Sequence, residues 1–485
     1  MGIIARQSTF NAIWIYVGIA IGYLNAGHLF PKFLGVPEYG MTRLILSWSS
    51  FALLVVAPAF PAAMLRYMPR LTKDQQVSLL SAFMSYSLVV GLLLSVALAI
   101  AGPGVWRRYD DGTGIFVQFG FLILPYTIAL AYMSLWDAYL RLELRSVIAT
   151  FWTEVGARLP NTLIILAYMM DWIDLSTFFY AYALAPLVPV AGMWMMVKQR
   201  PRWQVRWWKE IPWRKWKEIV VYTAYSAFTG VPSLLYRHVD MILVGKLLSL
   251  AKAGIYGLTI LFSVLVESPF RAMGAIYAPL MSYHMANRCY QDARILFMQA
   301  VRGAFLMDAL IALGLLVNIP WILSWIKPAY SEVYPVFTVL MWVPLIRALY
   351  LPLNVVFSYS PYYRWLLWVN VVGIIFNIML DIWMIPRWGL RGAAVASVMA
   401  VLVQMMGVWG IGLRKLGDVV YVPDGAWKWI AGVVGSYVTI LLMAQWWGSM
   451  DPRFWIVGNG MVMIYAVVLW RWMPEIKEMI LRKRS

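Results

Sequence analysis

Five charged residues, Arg158, Glu267, Arg271, Asp308 and Arg347, fall near the middle of long apolar runs. An arginine or carboxylate at the centre of a bilayer costs about 2.5–3.5 kcal/mol. Five of them on a lipid-facing surface would cost on the order of 12–17 kcal/mol, so they are expected to face water or one another. Arg237, His238, Asp240, Arg302 and Glu154 lie in similar runs, further from the middle. The strong cations here are all arginine, and lysine is absent from the run interiors. Guanidinium stays ionised when desolvated and grips phosphate oxygens through paired hydrogen bonds. This set suits the non-covalent holding of an anionic, phosphate-bearing group. The candidate binding residues are Arg158, Arg237, Arg271, Arg347, Glu267 and Asp308. Structural pairing competes with that reading, because Glu154 and Arg158, like Glu267 and Arg271, are one helical turn apart. The arginines outnumber the acids, which favours a substrate-facing role.

Other chemistry is poorly supplied. The single cysteine, Cys289, excludes an intrachain disulfide framework and a cysteine-built metal site. Three histidines leave little room for a metal centre or for histidine catalysis. No glycine-rich nucleotide loop is present, so no catalytic residue, cofactor or metal is expected. Pro160, Pro232, Pro269 and Pro344 stand beside the buried charges, where a freed carbonyl can bend a helix. Asn370, Asn377 and Asp381 share one helical face and suit interhelical hydrogen bonds better than sugar contact.

The elements that must carry these residues follow from composition. Of 485 residues 62% are hydrophobic and only 13% charged, too apolar for a water-soluble chain of this length. Aromatics reach 16%, which suits the belts at membrane interfaces. Runs of about 20 apolar residues predict fourteen spans, near 10–30, 41–65, 77–101, 115–139, 147–170, 175–197, 219–247, 254–282, 296–320, 334–358, 365–385, 390–413, 428–447 and 453–472. Loops are short, and no cleavable signal segment is apparent. With the N-terminus inside, 25 basic residues lie on cytoplasmic segments and 10 outside, the orientation the positive-inside rule demands. The net charge of +18 therefore reports topology, and nucleic acid is not an expected partner. The loop from Lys198 to Lys217 interleaves eight basic residues with five tryptophans, an interfacial pattern for anionic headgroups. The basic Leu481–Ser485 tail is expected to be a cytoplasmic anchor.

Two segments repeat. Val36-Pro-Glu-Tyr-Gly40 follows the first span, and Leu250-Ala-Lys-Ala-Gly254 follows the seventh. Gly156 and Asn161 in span five match Gly373 and Asn377 in span eleven. The chain is thus expected to be all-α, with two pseudo-symmetric six-helix bundles and two C-terminal helices around a central cavity. The expected division is 1–197, a linker 198–218, 219–413 and 414–485.

Val239-Asp-Met-Ile-Leu-Val-Gly245, Ala253-Gly-Ile-Tyr-Gly257, Pro279-Leu-Met-Ser282, Ile385-Pro386, Gly389-Leu-Arg-Gly-Ala-Ala394 and Pro37-Glu-Tyr-Gly40 together resemble the polysaccharide-unit (O-antigen type) flippases. That family belongs to the multidrug/oligosaccharidyl-lipid/polysaccharide exporter superfamily. The resemblance implies an alternating-access flippase for undecaprenyl-pyrophosphate-linked oligosaccharides in a bacterial inner membrane, serving lipopolysaccharide or other surface polysaccharide biosynthesis. Implied partners are that lipid-linked substrate, membrane lipids, H+ or Na+ as coupling ion, and other polysaccharide-assembly membrane proteins. A cation-coupled multidrug exporter is the first rival; a membrane glycan polymerase or ligase is the second, disfavoured by the short outside loops.

Overall fold

A computed structural model describes residues 3–107, 110, 112–197, 210–422 and 425–472. All regular structure among them is helical. The chain divides into two compact units, Met1–Gly254 and Ile255–Ser485.

The first unit begins with α1 (Ile3–Tyr23), which continues through a π-helical segment, Leu24–Leu29. α2 (Val36–Val56), α3 (Phe60–Tyr67), α4 (Lys73–Arg107) and α5 (Ile123–Leu142) follow. A short helix, Ser146–Phe151, and a second π-helical segment, Trp152–Gly156, lead into α6 (Leu159–Met169). α7 (Leu175–Leu184), α8 (Leu187–Met196) and α9 (Trp213–Leu247) complete the unit. α5 is its hub and packs against α2, α3, α4 and α8. The Asp174 side chain caps α7 by accepting from the Thr177 backbone N–H at 3.1 Å. The Thr177 side-chain hydroxyl and then this backbone N–H hold the Asp174 carboxyl below the usual carboxylate range.

α10 (Leu250–Val266) carries the unit boundary. Then come α11 (Ser268–Ala286), α12 (Tyr290–Ser324), α13 (Val333–Leu340), α14 (Trp342–Ser358), α15 (Tyr363–Lys415), α16 (Ala426–Trp447) and α17 (Pro452–Trp472). α12 is the hub here and packs against α11, α14, α16 and α17. α9 packs on α2 and α3 and groups with the first unit.

Nine stretches among the described residues are long and apolar enough to cross a bilayer, fewer than the fourteen expected. The shortfall has physical causes. α9 mixes Arg214, Lys215, Lys217, Glu218, His238 and Asp240 into its length. The eighth span stops at Val266 and restarts at Ser268, and the fifth is cut short by its π-helical segment. α15 errs the other way, because its 53 residues would measure about 80 Å if straight. It breaks at Gly389, whose φ of +58° and ψ of −139° suit only glycine. The expected division between spans eleven and twelve lies at the same place.

The repeat glycines meet within the first unit. A methyl group on Gly40 would sit 1.9 Å from the Leu250 carbonyl oxygen and 3.0 Å from the Gly254 nitrogen. One on Gly254 would sit 2.6 Å from the Val36 carbonyl oxygen. The two matching segments, expected as loops, are the first turns of α2 and α10 and pack backbone to backbone, which only glycine permits.

α17 is held to α12 by a polar clasp. Asn318 Nδ2 donates to Asn459 Oδ1 at 3.0 Å, and Trp455 Nε1 donates to Asn318 Oδ1 at 2.8 Å. Asn318→Leu is expected to lower stability by about 0.6–2 kcal/mol, read as a lower thermal midpoint in detergent. An unchanged midpoint would show that apolar packing alone holds α17.

Candidate functional site

In the first unit, Arg158 stands at the start of α6, directly after the Trp152–Gly156 segment. Its Nη1 lies 2.6 Å from Glu154 Oε2 and also reaches the Glu154 carbonyl. Gly18 and Gly22 of α1 make the room: a methyl on either would come within about 3 Å of the Arg158 guanidinium. Asn25, in the π-helical extension of α1, donates to the Arg158 carbonyl at 3.0 Å and accepts from Thr162 Oγ1 at 2.9 Å. Trp152 wedges between Gly156 and Gly192. Two π-helical segments thus frame one arginine, and such segments recur at functional sites. The Glu154 partner expected from the sequence is present, so this charge is neutralised internally. Gly18, Gly22, Asn25 and Thr162 are not among the residues the sequence singles out, although Gly18-Ile-Ala-Ile-Gly22 is a G-x-x-x-G pattern.

The Arg237 side chain lies outside the described residues, as do the Trp-rich linker 198–209 and the tail 473–485.

The second unit gathers Glu267, Arg271, Asp308 and Arg347. Glu267 sits in the break before α11, where Pro269 enters the first turn. Arg347 of α14 places Nη1 3.1 Å from Glu267 Oε2. Arg271, the neighbour expected to pair with Glu267, is looser at 3.8 Å, and its side chain is 52% exposed. Asp308 of α12 is fully buried, within electrostatic reach of Glu267 and Arg347. Neither of its carboxyl oxygens has a hydrogen-bond partner among the described residues. A buried polar group left so is costly unless something from outside completes it. Tyr350, one turn from Arg347 on α14, donates to Gln404 Oε1 of α15 at 2.9 Å. The Gln404 side chain in turn lies over Gly373.

Two further sequence candidates resolve as structure. Asn377 Nδ2 donates to Asp381 Oδ2 of its own helix at 3.2 Å, and both residues are buried. Arg302 stacks its guanidinium on Trp429, 5.4 Å from the ring centroid.

Arg43 is not among the residues the sequence singles out. It lies in the second turn of α2, half-buried, with its guanidinium 4.7 Å from the Tyr39 ring centroid. Tyr126 and Tyr182 stack beside it with centroids 5.6 Å apart, and Tyr39 OH donates to the Ala26 carbonyl at 2.8 Å. None of the described carboxylates pairs with Arg43. Arg43, whose Nε has no hydrogen-bond partner among the described residues, and the half-exposed Arg271 both suit an anion.

A model of the family described as "Polysaccharide biosynthesis protein" matches residues 30–288. No curated protein matches the sequence. Among solved structures, the lipid II flippase MurJ in an inward closed conformation superposes with a TM-score of 0.74 at 13% identity, covering 96% of this chain and 99% of that one. A multidrug resistance MATE family transporter of the MOP superfamily, in an inward-facing conformation, gives 0.63 at 13% identity, covering 86% and 96%. The Vibrio cholerae MATE transporter VcmN gives 0.54 at 13% identity, covering 85% and 98%. At these identities the likeness is one of fold.

Proposed function

The chain belongs to the polysaccharide biosynthesis protein family, and from that premise we propose that it flips undecaprenyl-pyrophosphate-linked oligosaccharides across the bacterial inner membrane by alternating access. It is a multi-pass membrane protein with a flippase- and MATE-like fold. The observation that carries the reading is the half-exposed Arg271 of α11, only loosely paired with Glu267 at 3.8 Å, in a chain built of membrane-crossing helices. A half-exposed guanidinium against acyl chains would cost about 2.5–3.5 kcal/mol, so Arg271 is assigned to an aqueous passage where diphosphate oxygens can take both its donor edges. Arg347 stands across Glu267 from Arg271, and tyrosine, tryptophan and asparagine side chains contact sugars. The polyprenyl tail stays in lipid, since moving it into protein gains little. No covalent step is involved. Asp308, with no hydrogen-bond partner among the described residues, is where a coupling cation, H+ or Na+, would enter. Both termini face the cytoplasm in this reading, and other polysaccharide-assembly membrane proteins supply and take up the substrate.

The rival with a specific observation behind it is a cation-coupled drug exporter, favoured by the MATE-like fold. Such a passage would favour carboxylates over arginines. Surface glycan separates the two readings. Arg271→Ala is expected to reduce exported glycan at least tenfold at unchanged protein level, about the effect of losing one strong charged contact. Arg271→Lys should rescue poorly, because a point charge cannot grip two oxygens in one plane. Wild-type export by Arg271→Ala, together with dye sensitivity on deletion of the gene, would favour the drug exporter.

A further inference from the structure

We propose that His284, Cys289 and Asp292 form a binding site for a divalent cation of the zinc class. The three residues come from the last turn of α11, the connection that follows, and the first turn of α12. One donor atom from each, a ring nitrogen, the thiol sulfur and a carboxylate oxygen, lies within 4.8 Å of the other two. The chain fold brings them there. The Cys289 N–H donates to the His284 carbonyl at 3.0 Å, which folds the connection back over the end of α11.

The Nδ1 of His284 is buried and has no hydrogen-bond partner among the described residues. It lies 3.9 Å from Asp292 Oδ2, beyond hydrogen-bonding range. That spacing is close to what two ligands of one ion require, since zinc holds nitrogen and oxygen at about 2.0–2.2 Å in tetrahedral array. The Cys289 sulfur makes only a weak contact, 3.7 Å from the Asn287 carbonyl oxygen. An acidic residue in a first helical turn needs no metal, because it complements the helix dipole. The helix dipoles account for Asp292 in a first turn and for a protonated His284 in a last turn, and leave the approach of Cys289 to both unexplained.

The donor set decides the class of ion. Magnesium and calcium take oxygen ligands, whereas imidazole and thiolate together select zinc and its borderline-soft relatives. Three protein ligands leave a fourth position for water. A single cysteine excludes a thiolate-built centre, as the sequence implies; a mixed site needs only one. The ion would tie the end of α11, which carries Arg271, to the start of α12, which carries Asp308. None of this depends on what the protein transports.

The sole cysteine makes the test specific. Purified full-length protein, reduced and freed of metal, would be titrated with Co2+, and its alkylation by N-ethylmaleimide timed with and without Zn2+. One equivalent of Co2+ should give a thiolate charge-transfer band that Zn2+ removes. Zn2+ should slow alkylation on the order of tenfold or more, and Mg2+ should not. His284→Ala and Asp292→Ala should each abolish the protection while leaving the metal-free alkylation rate at the wild-type value. An absent band with unslowed alkylation, or protection that survives both substitutions, would overturn the site.

Discussion

Arg347→Ala is expected to abolish glycan export and to lower stability by about 1–3 kcal/mol, the cost of leaving a largely but not fully buried carboxylate without its close partner. Glu267, with its side chain 12% exposed, would lose the guanidinium at 3.1 Å and keep only Arg271 at 3.8 Å. Asp308, fully buried beside them, would lose a compensating positive charge. Export and folding can be separated by removing both members of the pair. Arg347→Met with Glu267→Gln leaves neither member of the pair charged and alone, so the thermal midpoint should return close to wild type. Export should stay lost, because the guanidinium of Arg347 no longer stands beside that of Arg271. Normal export by that double variant would make the pair structural and remove Arg347 from the binding surface.

Gly40→Val should prevent accumulation of folded protein, the second large effect. The obstruction is the Leu250 carbonyl oxygen, 1.9 Å from where the first added carbon would stand, and backbone cannot step aside as a side-chain end can. Gly40→Ala should cost about 1–3 kcal/mol or more, in the range for overpacking a tight contact. Gly254→Ala, which meets the Val36 carbonyl at 2.6 Å, should behave alike. Because both substitutions force apart the same two segments, the double variant should lose less than the sum of the single losses. Purified yield and thermal midpoint check this, and a wild-type midpoint for Gly40→Ala would show that the segments can separate freely.

Composition and apolar runs decide the class of protein, since an all-helical membrane chain is the physical consequence of so little charge. Helix breaks are legible in part: Gly389 falls between the predicted spans eleven and twelve, whereas the predicted span 254–282 runs unbroken through the stop at Val266 and the restart at Ser268. Local charge pairs are legible too, because four-residue spacing guarantees proximity on a helix: Glu154 does hold Arg158. Glu267 shows the limit of that rule. Spacing points to Arg271, yet Arg347, eighty positions after Glu267, is closer, and no periodicity reports which helix lies alongside. Arg43 stands at the start of the predicted span 41–65, and no spacing reports that Tyr39, Tyr126 and Tyr182 gather beside it. The recurring glycines read as packing residues, and Gly40 and Gly254 are; that these two copies pack against each other cannot be inferred from spacing along one chain.

Whether arginines on membrane-embedded helices hold a diphosphate headgroup is tested most directly by translocation in reconstituted vesicles. Undecaprenyl-pyrophosphate-linked oligosaccharide would serve as substrate, with an impermeant reagent reporting the headgroup on the far side. Wild-type protein should expose the headgroup across the membrane, Arg271→Ala should not, and a cationic dye should remain uncarried. Dye transport without headgroup translocation, or equal translocation by wild type and Arg271→Ala, would mean that the guanidinium groups serve some other end.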